Sequence, residues 1–168
     1  DLREYLHHIW TCGTIRERLS AISDMGEEIM SRSLNDDLER YSKDMLEEIS
    51  RSHEAESLDP SLMIRIMIYH GWCLSVRREW EKALEEYDRA RMKAEEIPSW
   101  DLVGRCLNAV GTIHLRRGDP ENARELISRS IELMDDRRTL CKARSNLAIV
   151  HWMEGRLEEA LEEVDRSL

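Results

Sequence analysis

Apolar and polar residues nowhere alternate with period two along this chain; long stretches of helix formers run between sparse breaks, with seven Gly and three Pro in 168 residues. That pattern predicts an all-α protein. In the closing stretch Leu157, Leu161 and Val164 share one helical stripe, while Glu158-Glu159 and Glu162-Glu163 stand on solvent-facing sides. Helices are predicted near 2–11, 14–33, 36–53, 61–77, 80–96, 100–117, 120–135, 138–154 and 157–168. The sharpest boundary is Gly118-Asp119-Pro120: Gly ends one helix in the left-handed conformation, Asp caps the next, and Pro fits its first turn. Gly155-Arg156-Leu157 repeats the design without proline. Arg77-Arg78-Glu79-Trp80 fills the equivalent place with no Gly, so strain or a different geometry is expected there. Asp59-Pro60 and Pro98-Ser99 separate hairpins, and the weak helix formers Ser50-Arg51-Ser52-His53 are expected to fray.

Three stretches share one spacing: a Gly or Ala, then twelve residues on an Ala, then four more to a bulky residue. They are Gly71–Ala83–Tyr87, Gly111–Ala123–Ile127 and Ala148–Ala160–Val164. Self-similarity at a fixed offset marks a repeat architecture, here of stacked helical hairpins. The small residues have a physical reason, since two helices approach closely where Gly or Ala offers no bulk. Such a stack is a surface for holding other molecules rather than a pocket for chemistry.

These residues resemble the tetratricopeptide repeat, whose pattern runs W-x2-L-G-x2-Y, then A-x3-F, then P. The first halves here read Met67-x2-His70-Gly71-x2-Leu74, Leu107-x2-Val110-Gly111-x2-His114 and Arg144-x2-Leu147-Ala148-x2-His151. The second halves read Ala83-x3-Tyr87, Ala123-x3-Ile127 and Ala160-x3-Val164. The chain departs from the pattern in three ways. No opening Trp is present, with Arg144 in its column, and Glu95 and Asp135 replace the closing Pro. Successive small-residue markers lie 40 and 37 residues apart, against the usual 34. Long-spaced repeats of this kind resemble those of signalling ATPase regulators related to the maltose activator; kinesin light chains and cell-polarity adaptors share the lengthening.

The resemblance implies a right-handed superhelical solenoid of antiparallel helix hairpins. It divides the chain into degenerate N-terminal helices over 1–60 and three repeats within 61–168, near 64–97, 104–137 and 141–168, in one continuous solenoid. Met25-Gly26-x2-Ile29, with Ser42 and Leu46 opposite, resembles one more degenerate first helix. The end at Leu168 inside a second helix, with no polar cap, reads as a piece of a longer protein. The uncapped Leu157, Leu161 and Val164 face is expected to self-associate.

Charge narrows the partners. Net charge is −10, from 25 basic and 35 acidic residues. A phosphate backbone is repelled on average, which disfavours nucleic acid, RNA included. Cys12, Cys73, Cys106 and Cys141 form no C-x-x-C pair and resemble neither a disulfide framework nor a zinc site. Free thiols inside helices suit a reducing, cytoplasmic compartment, and no run of eighteen apolar residues predicts a membrane span. No phosphate-binding glycine loop, nucleophile elbow or H-E-x-x-H occurs. No catalytic residue, metal or cofactor is therefore expected. His114 and His151 share one column of adjacent repeats and are read as replacements for a core aromatic rather than as a metal pair.

In the tetratricopeptide family the columns that line the concave groove fall here on Arg65, Ile68, Trp72, Ser75 and Val76. Later they hold Arg105, Asn108, Thr112, Leu115 and Arg116, then Lys142, Ser145, Ile149, Trp152 and Met153. The candidate peptide-binding set is Arg65, Ile68 and Trp72 in the first repeat, Arg105, Asn108, Thr112 and Arg116 in the second, and Lys142, Ser145, Ile149 and Trp152 in the third. Exposed Trp and Met beside a basic column suit a peptide or partner helix with spaced acidic residues and apolar anchors. The chaperone-binding subset of the family clamps a carboxylate with Lys and Asn, whose first places hold Ile68 and Trp72 here, which disfavours that role. The other readings are the ligand-sensing arm of a signalling ATPase or transcriptional regulator and, less favoured by the net charge, an RNA-binding helical repeat.

Overall fold

The computed structural model describes residues 2–31, 35–52 and 57–167. Among them, nine helices and no strand occur: α1 Leu2–Cys12, α2 Ile15–Ser31, α3 Asn35–Arg51, α4 Pro60–Val76, α5 Trp80–Glu96, α6 Trp100–Arg116, α7 Pro120–Leu133, α8 Arg137–Met153 and α9 Leu157–Ser167. Each described boundary lies within two residues of its sequence expectation. The expected ends at 33, His53 and Leu168 lie outside the described residues.

Turn chemistry sets the boundaries. Asp59 accepts from Ser61 N at 2.9 Å, and Asp136 accepts from Thr139 N at the same distance, each capping a helix start. Thr14 and Glu17 form a reciprocal capping box at the head of α2, with Thr14 N donating to Glu17 at 2.7 Å and Glu17 N to Thr14 Oγ1 at 3.3 Å. Gly118 and Gly155 end α6 and α8 at φ 78° and 77°, and Arg78 takes φ 63° at the matching place after α4. The expected strain is thus carried by a residue with a Cβ in the left-handed region.

The chain forms two compact units, Asp1–Glu86 and Tyr87–Leu168. In the first, α2, α3 and α4 pack on one another and α1 packs on α2. Leu6, Leu19, Ile22, Ile29, Leu38, Met45, Ile66 and Tyr69 form its core. Gly26 faces the Tyr69 ring of α4, which a Cβ would strike, and Tyr69 OH donates to Ser23 O at 3.3 Å. Trp10 tilts against Tyr41 with ring centroids 4.4 Å apart, and the guanidinium of Arg18 lies 5.7 Å over Trp10 while that of Arg40 lies 4.8 Å over Tyr41. The ring contact joins α1 to α3, and Arg18 joins α2 to α1.

In the second unit α6 pairs with α7 and α8 with α9, while α8 also packs on α7 and α6. Ala123, Ile127, Met134, Ala143, Leu147 and Val150 make its core. Gly111 shows why the small residue is needed: a Cβ there would lie 2.7 Å from Ile127 Cγ1 and 3.3 Å from Ala123 O. The Gly–Ala–bulky spacing read from the sequence is therefore one physical crossing, with Ala123 and Ile127 both fully buried. Gly104 makes a second close approach, with Ser130 O 2.9 Å from the place of its Cβ.

Candidate functional site

Within the second unit the candidate residues stand on α6 and α8. Asn146 Nδ2 of α8 donates to Asn108 Oδ1 at 3.1 Å and to Thr112 Oγ1 at 3.2 Å, and Thr112 Oγ1 donates to Asn108 O at 2.8 Å. These bonds fix the register of the two helices, because sliding one along the other would strand half-buried amides. Asn146 is not among the sequence candidates; the signal for it is an amide immediately before the apolar run Leu147-Ala148-Ile149-Val150.

Toward the end of α8 the surface turns apolar. Ile149 is 47% exposed, Trp152 66% and Met153 44%. Lys142, Ser145 and Arg116 are exposed, while Arg105, Asn108 and Thr112 are half-buried. Ser145 Oγ turns back to Cys141 O at 2.9 Å. The structure thus brings Asn108 and Thr112 together through Asn146 and leaves Ile149 and Trp152 open.

In the first unit the picture differs. Ile68 is buried, and Trp72 is half-buried against the core of that unit. The cause is the composition of α4, which is apolar on all sides: Ile64, Ile66, Met67, Ile68 and Tyr69 are buried together. Arg65 is half-buried and Val76 exposed. Outside the set, Trp80 is half-buried and Trp100 stands exposed.

The two histidines differ: His114 meets an acid, while His151 keeps only 13% of its side chain exposed. His114 Nδ1 lies 3.0 Å from Asp119 Oδ2, and His151 Nδ1 lies 3.9 Å from Glu154 Oε2. Asp119 accepts from Asn122 and His114, which holds its carboxyl below the usual range. Glu154 also receives Arg124 Nε at 3.2 Å, tying α7 to the turn after α8. Glu163, expected on a solvent-facing side, is instead buried, because it bridges Arg144 at 2.8 Å and Arg166 at 2.7 Å. In the first unit the buried Glu86 lies 3.5 Å from His70 Nδ1. Such carboxylates tie neighbouring helices together.

Burial pushes the thiols of Cys73 and Cys106 up to about 12. Among the described residues, no three His, Cys, Asp or Glu converge as a metal set, and no helix is long and apolar enough to cross a membrane.

Residues 142–166, which take in the last twelve residues of α8 and nearly all of α9, match the model of the tetratricopeptide repeat. The chain carries a tetratricopeptide-type repeat. The crystal structure of BtubC (BKLC) from P. vanneervenii superposes with a TM-score of 0.67 at 17% identity, covering 99% of this chain and 68% of that one. At that identity the likeness is one of fold, and it places the chain in the all-α helical-repeat class. No curated protein matches the sequence.

Tetratricopeptide repeats generally mediate protein–protein interaction and are generally non-enzymatic. The repeat also explains Arg144. It occupies the column that the pattern gives to Trp, and it spans the α8–α9 hairpin by its charge to Glu163 where a ring would span it by bulk. Truncating one partner of such a pair is costly, because the other charge is left buried and unpaired.

Proposed function

We propose that the chain is a protein-interaction scaffold whose α6–α8 face holds a peptide or partner helix. The observation that carries this reading is Trp152. A tryptophan 66% exposed, beside Ile149 on a face held rigid by the Asn108–Asn146–Thr112 bonds, is an anchor awaiting a partner. Rigid placement lowers the ordering cost of binding. Arg105, Arg116 and Lys142 give this face its basic residues, so the matching segment carries spaced Asp or Glu with apolar residues between them. In the first unit the half-buried Arg65 is the polar member of the candidate set. Reduced thiols at Cys73 and Cys106 support a cytoplasmic setting.

The test begins with a pull-down from the native source. The eluted partner is then titrated against Trp152→Ala and Arg105→Glu. Loss of the Trp anchor should weaken binding by roughly 2 kcal/mol, and charge reversal at Arg105 should chiefly slow association and flatten its salt dependence. A partner indifferent to both variants binds another face.

A further inference from the structure

The hydrogen bonds that join α6 to α8 fix how two amides are turned and leave one group of each unused. Thr112 Oγ1 gives its proton to Asn108 O at 2.8 Å, since a carbonyl only accepts. The same hydroxyl oxygen can then only accept from the Asn146 side chain 3.2 Å away, so the atom facing it is Nδ2. The second proton of that Nδ2 goes to Asn108 Oδ1 at 3.1 Å. What remains is Asn108 Nδ2, a donor, and Asn146 Oδ1, which only accepts. Among the described residues neither atom has a partner, and neither is sealed from solvent although both residues are half-buried. Asn146 also lies outside the columns expected to line the groove, in which the third repeat places Lys142, Ser145, Ile149, Trp152 and Met153.

We propose that Asn108 and Asn146 read the main chain of an extended segment of the partner. Asn108 Nδ2 donates to one of its carbonyls, and Asn146 Oδ1 accepts from one of its N–H groups. A donor on one helix and an acceptor on the next, on either side of a 3.1 Å bond that holds both still, complement the C=O and N–H of a peptide chain. The interior of a helix cannot answer them, because its N–H and C=O groups are bonded to one another. An extended chain leaves those groups free. Charge gives the side chains of the segment. Arg105 and Lys142 stand one turn before Asn108 and Asn146, and Arg116 two turns beyond Asn108, so the segment that lies along the pair is acidic. This role rests on the α6–α8 face holding a partner, and it narrows the occupant from a peptide or helix to an extended acidic segment. The pair sets which residue of the segment lies opposite α6 and α8, a matter of register more than of total affinity.

The probes are two fluorescent peptides with the same spaced Glu and Leu residues, one kept extended by flanking prolines and one locked helical by a side-chain staple. Anisotropy titration should show the extended peptide binding about tenfold or more tightly, from two added hydrogen bonds. In a series of esters, each backbone N–H of the extended peptide is replaced in turn by oxygen. One position should lose about fivefold in affinity and its neighbours little. The ester series is read on the unaltered chain, so it needs no substitution that could disturb the fold. In Asn146→Ala the sensitive ester and its parent amide should bind equally. Arg105→Glu should weaken the extended peptide, which locates it on this face. If that variant weakens binding but no ester does, or if the helical twin binds as tightly, the α6–α8 face stands and the main-chain role is overturned. If Arg105→Glu changes nothing, or neither peptide binds, the α6–α8 reading falls and this role with it.

Discussion

Replacing Gly111 by Ala tests whether the α6–α7 crossing is as tight as the spacing of small residues requires. In an open helix this change stabilises by about 1 kcal/mol, the propensity difference between the two residues. Here the added methyl would sit 2.7 Å from Ile127 Cγ1, against the ~3.5–4.0 Å of a relaxed carbon contact. Ile127 is fully buried and β-branched, so its side chain has no free rotamer to retreat into. One helix must back away, at the roughly 1–3 kcal/mol of an overpacked core. Set against the propensity gain, the net effect is destabilisation of about 1 kcal/mol, read from urea unfolding. The double-mutant cycle is sharper. Ile127→Ala alone costs about 2–5 kcal/mol, but it removes Cγ1, so in that background Gly111→Ala should stabilise by about 1 kcal/mol. The sign reverses, with a coupling of about 2 kcal/mol. If Gly111→Ala stabilises both backgrounds equally, the two helices are not in contact there and the repeat register is wrong.

Three further outcomes follow from the turns and the thiols. Arg78→Gly should raise stability by about 0.5–1 kcal/mol, because φ 63° burdens a residue with a Cβ; a loss in thermal denaturation would show that the Arg78 side chain outweighs its backbone. Asp136→Ala should cost about 1 kcal/mol as a lost helix cap. The Thr139 N–H, and then its hydroxyl, hold the Asp136 carboxyl below its ordinary 3.8. Its contribution is therefore present above about pH 4 and lost as pH falls through the lowered value; a parent–variant difference that stayed constant into acid would refute this. Thiol labelling at pH 8 should modify exposed Cys12 rapidly and spare Cys73 and Cys106, whose thiols are pushed up to about 12, until the chain unfolds.

The helices were legible because their stops are local. Gly118, Asp119, Pro120 and Gly155 act through backbone geometry that neighbours do not alter. The close approach at Gly111 was legible for the same reason, since an Ala twelve residues on and a bulky residue four later leave one way to pack a hairpin. The exposed face of α4 was not. With Ile64, Ile66, Ile68 and Tyr69 all apolar, no stripe distinguishes outside from inside, so Ile68 and Trp72 were placed by family column rather than by pattern. His114 and His151 were read as core fillers because a column aligns side chains without saying where they turn. Asp119, five residues on, hydrogen-bonds His114 at the turn, while His151 stays largely buried with no hydrogen bond at Nδ1. The Arg144–Glu163 and Arg124–Glu154 pairs join residues 19 and 30 apart, a separation that charge patterning along one helix does not reveal.

The α6–α8 face is the proposed place where a partner is held, and nuclear magnetic resonance mapping measures it most directly. The labelled chain is titrated with a peptide carrying spaced Asp and Glu between Leu anchors. The Trp152 indole signal should move, together with the amides of Arg105, Asn108, Thr112 and Ile149, while the indole of Trp10 in the first unit stays still. Shifts confined to α7 or α9, with Trp152 and Asn108 unmoved at saturation, would contradict the account.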